Sequence, residues 1–204
     1  MALLPHLERN DLDPDGRRVW DLIDDERGDV PASYRSMVHS PGAAEAVARL
    51  GSYLRFDSAL DARVREVAVM VVNRSTGCEF GQAHHVLLAR ALGLAEGQIA
   101  DLLAGRASEL GVEERLAARL AEETMRSRRA SAETVAAAVE QWGEQQTVDL
   151  VVAVGYYTMI AQYCLTMDLT VLPGGLDHLS SGRDVVRARP SGNASRRLGG
   201  EDET

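Results

Sequence analysis

The chain has no lysine: all 22 basic residues among its 204 are arginine. That excludes a Schiff-base lysine and the lysine of a phosphate-binding loop. Cysteine is nearly as scarce. Two thiols, Cys78 and Cys164, cannot staple a small secreted scaffold. Aromatic residues make up only 4%, too few for a box of flat rings around a planar ligand. Positive charge is in deficit, with a net charge of −9. Such a chain is a poor partner for nucleic acid or an anionic membrane, because phosphate contacts need clustered cations. No unbroken apolar run reaches the roughly 18 residues that span a bilayer. The opening MALLPHLERNDLDPD lacks a basic segment ahead of an apolar stretch, so no signal peptide is expected. The expectation is a cytoplasmic protein with no membrane and no nucleic-acid partner.

What is present reads as helix throughout, and the hydrophobic share of 45% is enough for one sizeable core. Asp13-Pro14 is a cap followed by proline at the first helical position, and Gly28 ends that helix. Trp20, Ile23 and Arg27 lie near one of its faces. Ser33 to Ser40 predicts a short helix. Ser40-Pro41 repeats the start signal for a helix to about Phe56, and Asp57 to Asp61 is a turn. Arg63 to Asn73 is rich in valine, which also favours strands; its length and flanking charges predict a buried helix. A helix follows from near Cys78 to Ala91, stopped by Gly93. Shorter amphipathic stretches cover Ala95 to Leu103 and Val112 to Arg128. Ser131 caps a helix ending at Trp142-Gly143, and Thr147 to Met167 is the most apolar helix of all. The expected domain is residues 1–173. Residues 174–204 crowd glycine, serine and proline with few large apolar side chains, and read as a flexible tail.

The segment from Glu66 to His85 concentrates chemistry: a carboxylate, a thiol and two imidazoles within twenty residues. Cys78 falls at a helix N-terminus, where free N–H groups and the helix dipole lower a thiol pKa. His85 is seven positions on, nearly two turns, so it shares a face with Cys78. Glu66 sits on the preceding helix, which an antiparallel pairing brings against this face. A carboxylate beside an imidazole orients its proton, as a general acid/base relay requires. Each residue also has a plainer explanation. Cys78 reads equally as a buried small hydrophobe, and a lone histidine on an apolar face is commonly a satisfied core residue. A carboxylate inside a valine-rich helix is harder to dismiss, because it must be paired or face a cavity. Adjacent His84 and His85 point about 100° apart on a helix, so one is expected to face the pocket and the other a neighbouring helix or subunit. The spacing matches no zinc pattern, so neither a metal nor another cofactor is expected.

Glu66, then Cys78-Glu79-Phe80-Gly81-Gln82-Ala83-His84-His85, then Ala89, Ala91, Gly93 and Leu94, resemble the carboxymuconolactone decarboxylase superfamily, which includes the alkylhydroperoxidase D-like proteins. Ser40-Pro41, Leu50-Gly51 and Leu150 to Tyr163 resemble its flanking helices. The resemblance implies an all-α, alkylhydroperoxidase D-like helical bundle that assembles as a homotrimer or homohexamer. It implies catalytic roles for Glu66, Cys78 and His85, and a substrate-binding place for Glu79, Phe80, Gln82 and His84. The peroxidase branch carries Cys-x-x-Cys-x-x-x-His. Here its second cysteine is replaced by Gly81, and Cys164 lies far off on another helix, so a two-cysteine cycle is not expected. The decarboxylase branch carries a Glu-Trp-like pair where this chain has Gly81 and Gln82.

The leading expectation is therefore a cofactor-independent lyase or isomerase. Its substrate would be a small unsaturated keto- or lactone-carboxylic acid of a biosynthetic or aromatic-degradation pathway. Loss of CO₂ or of an α-proton would leave an enolate, stabilised and reprotonated by His85 or His84. Arg63, Arg65 and Arg74, nearest in sequence, are the candidates to clamp a carboxylate. The alternatives are a one-cysteine thiol peroxidase using Cys78, and a non-catalytic ligand-binding oligomer.

Overall fold

The computed structural model describes residues 3–169, and no strand occurs among them. Eight helices follow one another: α1 (Pro14–Arg27), α2 (Ala32–Met37), α3 (Pro41–Ser52), α4 (Ala62–Thr76), α5 (Glu79–Ala91), α6 (Glu96–Leu103), α7 (Val112–Ser127) and α8 (Ala132–Thr166). The all-α expectation holds. The expected tail, 174–204, lies outside the described residues.

The caps explain most boundaries. Asp13 accepts from Gly16 N–H at the start of α1, and Gly28 closes it in the left-handed conformation. The Asp61 side chain accepts from Arg63 and Val64 N–H at the start of α4, and Gly77 closes it with φ of 70°. Valine's preference for strands loses here for an energetic reason. Its helix penalty is below about 0.7 kcal/mol, whereas fully burying its side chain is worth about 1.5–3 kcal/mol. Every residue from Val64 to Asn73 is buried, because α5, α6, α7 and α8 all pack around α4.

Two departures from periodicity shape the site. The helix expected to run to Phe56 is α-helical only to Ser52 and continues as a π-helical turn, Tyr53–Asp57. The two helices expected on either side of Gly143 run into one another without a loop. Gly143 bends the junction with φ 78° and ψ 173°, a region essentially reserved for glycine. Beyond the bend, α8 holds an 18-residue window of mean hydropathy 1.4, long and apolar enough by composition to span a membrane. Here it packs Leu150, Ala153, Val154 and Tyr157 into the core shared with α4 and α7.

A second cluster, from α1, α2 and α3, packs Val19, Ile23, Tyr34 and Ala44. A third and smaller one joins Cys78 to Ala161, Cys164 and Leu169. The seam between these clusters holds the site.

Candidate active site

The antiparallel pair α4–α5 builds one wall. Glu66, on the second turn of α4, faces the middle of α5, where His85 Nδ1 lies 2.5 Å from Glu66 Oε1. Glu66 is 2% exposed and His85 7%, so water does not compete for this contact. An ionised carboxylate only accepts, so Nδ1 carries the proton and Nε2 is left for a molecule in the cavity. The Tyr157 ring meets His85 edge-on at 5.0 Å and limits its rotation.

Cys78 is the N-cap of α5, and its Sγ accepts from Gly81 N–H at 3.4 Å. Its thiol is lowered to about 7. The largest cause is a hydrogen bond from Cys164; burial opposes the shift and the Gly81 N–H assists it. Cys164 is pushed up, first by its bond to Cys78 and then by burial. The fall expected for Cys78 is thus present, but a second thiol rather than the helix terminus dominates it. Cys164 is not remote: α8 brings it against the start of α5, which corrects the expectation from sequence separation.

These groups line a cavity of about 70 Å³, Cys78, His84 and His85 from α5 and its cap and Tyr157 and Cys164 from α8. Phe80 lines it as well, whereas Glu79 is exposed and Gln82, half-buried, lies outside the lining. Both histidines face the cavity, with ring centroids 5.1 Å apart. The expected division, one inward and one toward a neighbour, is corrected. Among the described residues, no group of three or more His, Cys, Asp or Glu side chains is arranged to hold a metal ion.

The arginines of the cavity are not those expected from proximity in sequence. Arg63 pairs with Glu114, and Arg74 pairs with Glu122 and donates to Leu102 O. Arg65 is buried and donates to Leu54 O. None of the three lines the cavity; Arg27 and Arg55 do. The π-helical turn carries Arg55. Arg27 closes α1 at 7% exposure, with its guanidinium 5.2 Å from the Tyr34 ring centroid. Nη2 makes only long bonds, 3.3 Å to Ala48 O and 3.4 Å to Ser52 Oγ, and Nε has no partner. No carboxylate among the described residues forms an ion pair with Arg27. A buried cation without an anion is costly unless a ligand supplies one. The sequence signal was an arginine on the same face as Trp20 and Ile23.

A family model for the carboxymuconolactone decarboxylase family matches residues 41–123, from the start of α3 into α7. The matched region contains Glu66, Cys78 and His85, but Arg27 and Cys164 fall outside it. Among solved structures, the debrominase Bmp8 in its apo form is similar, with a TM-score of 0.71 and 16% identity over 87% of this chain and 96% of that one. A cysteine-to-alanine variant of Bmp8 in complex with 2,3,4-tribromopyrrole is similar too, with a TM-score of 0.71 and 15% identity over 88% of this chain and 98% of the other. These likenesses show the shared fold. No curated protein matches the chain.

Proposed function

We propose that the chain is a cofactor-independent lyase or isomerase acting on a small keto- or lactone-carboxylic acid through an enolate. One observation carries the reading. A buried arginine lacking a carboxylate partner and an imidazole held by a buried carboxylate line the same cavity. Arg27 anchors the substrate carboxylate, a role that suits a planar guanidinium. His85 presents Nε2 to the carbonyl oxygen, where charge grows as CO₂ or an α-proton departs. Glu66 keeps the imidazole in the tautomer that donates from Nε2 when charged. His85 then returns a proton to carbon. The largely apolar lining strengthens each of these interactions by lowering the local dielectric.

The test is turnover of a panel of β-keto acids and unsaturated lactone acids in D₂O, followed by NMR for deuterium entering the product. His85→Gln is expected to lower kcat by about 10²–10⁴-fold, the usual contribution of a positioned acid/base. Arg27→Met is expected to act chiefly on KM, and Cys78→Ser to retain turnover. Turnover that survives His85→Gln but disappears with Cys78→Ser would overturn the reading in favour of thiol chemistry. Binding without turnover by the wild type would favour a ligand-binding oligomer.

We further propose that a second copy of the chain covers α8. Val148, Val151, Val152 and Met159 are exposed there and lie within about 100° of one another around the helix. A homotrimer or homohexamer would bury this stripe. Light scattering on the wild type and on Val151→Glu/Met159→Glu tests it: a monomeric wild type would contradict the proposal.

A further inference from the structure

Acid/base catalysis has no use for two buried thiols that share one small cluster at the cavity wall. Cys78 and Cys164 come from helices far apart in the chain, yet each is 1% exposed, both belong to one small cluster, and both line the cavity. Cys164 is the neighbour that lowers the Cys78 thiol most, and Cys78 in turn raises that of Cys164. Two thiols packed only as small hydrophobes would not need to meet at a cavity wall.

The surroundings explain why the second thiol comes from α8. A cysteine within α5, one turn after Cys78, would stand at position 81. There a Cβ would lie 2.0 Å from Asn73 Oδ1 and 3.3 Å from Cys78 Sγ. Asn73 is buried and tied by its Nδ2 to Val69 O at 3.0 Å, so its oxygen cannot easily withdraw. Position 81 is therefore closed to a side chain, whereas Cys78 shares a buried cluster with Ala161 and Cys164 of α8.

We infer that Cys78 and Cys164 form a redox couple, with Cys78 as the attacking thiolate and Cys164 as the resolving thiol. With a hydroperoxide as oxidant, the Cys78 thiolate attacks the distal oxygen. The S–O bond forms as the O–O bond breaks, and the alkoxide leaves, taking a proton from His85. Cys78 is now a sulfenic acid, oxidised by two electrons. The Cys164 sulfur then attacks the Cys78 sulfur. The S–S bond forms, the S–O bond breaks, and hydroxide leaves as water with the Cys164 proton. An external dithiol restores both thiols by exchange. A thiolate near neutrality with a protonated neighbour suits this order of events. The inference goes beyond the acid/base reading, and the two fail separately.

The experiment uses the full chain with one equivalent of hydrogen peroxide, followed by peptide mapping and intact mass. The expected result is loss of both free thiols, loss of two hydrogens in mass, a Cys78–Cys164 linked peptide within one chain, and full reversal by dithiothreitol. In Cys164→Ser, Cys78 should instead stop as a sulfenic acid trapped by dimedone. Three results would overturn the inference: a wild-type Cys78 that runs on to sulfinic acid while Cys164 stays a free thiol, a Cys78–Cys78 link between chains, or thiols that peroxide leaves untouched. The wild-type mapping decides the matter even if the serine variant does not fold.

Discussion

The two walls of the cavity are built in different ways. The α4–α5 wall comes from one stretch of chain, and its buried polar groups are paired: Glu66 Oε1 lies 2.5 Å from His85 Nδ1. The opposite wall is gathered from α1, the π-helical turn and α8. It holds Arg27 without a carboxylate and Cys164 against a thiol of the other wall. The first wall is complete without a ligand. The second carries Arg27, met by Ala48 O, Ser52 Oγ and the Tyr34 ring but paired with no carboxylate. A preformed acid/base wall facing an unanswered cation is what an enzyme for a small anion requires.

The largest expected effect falls on the matched wall. Glu66→Ala removes the partner of a buried imidazole, and breaking such a pair costs about 3–5 kcal/mol. Urea unfolding measures it, and a loss below about 1 kcal/mol, roughly the value of a surface pair, would mean that this buried contact does not hold the wall together. Arg27 should behave oppositely. Arg27→Met relieves an uncompensated buried charge, so stability is expected to stay level or rise by about 1–4 kcal/mol while carboxylate binding is lost. A large destabilisation would erase the contrast between the walls. Gly81→Ala pushes a methyl into Asn73 at the foot of α5 and should cost about 1–3 kcal/mol, with Asn73→Gly/Gly81→Ala recovering part of it. The smallest effect is on a pH profile. Alkylation needs the thiolate, so the Cys78 rate should rise with pH through about 7 and then level off. In Cys164→Ser the sulfur at 164 is lost, and the midpoint should move upward. A wild-type midpoint at the ordinary thiol value of about 8.5 would remove the second thiol from the account.

The same contrast separates what could be read from the sequence from what could not. Glu66, Cys78 and His85 are spaced within two helices and one turn, so helical geometry alone brought them together. The caps at Asp13 and Ser131 and the stop at Gly28 marked helix ends for the same local reason, whereas the Asp61 cap and the Gly77 stop of α4 emerged only in the structure. The far wall depends on tertiary packing. Cys164 seemed remote because sequence distance says nothing about how α8 crosses α5. Arg63, Arg65 and Arg74 seemed close because they are near in the chain, but Arg63 and Arg74 lean toward α7, and Arg65 donates to the backbone leading out of α3. Arg55 reaches the cavity through a π-helical turn that a 3.6-residue period cannot foresee. Arg27 had left a trace as a cation on an apolar face, the pattern most worth pursuing in such a helix.

The most direct test follows the His85 ring by NMR while oxalate, a stable mimic of an enolate beside a carboxylate, is titrated into the wild type and into Arg27→Met. A saturable shift of the His85 signals that vanishes in Arg27→Met would place anchor and acid on one bound molecule. An unmoved His85 ring, or a shift indifferent to Arg27, would contradict the account.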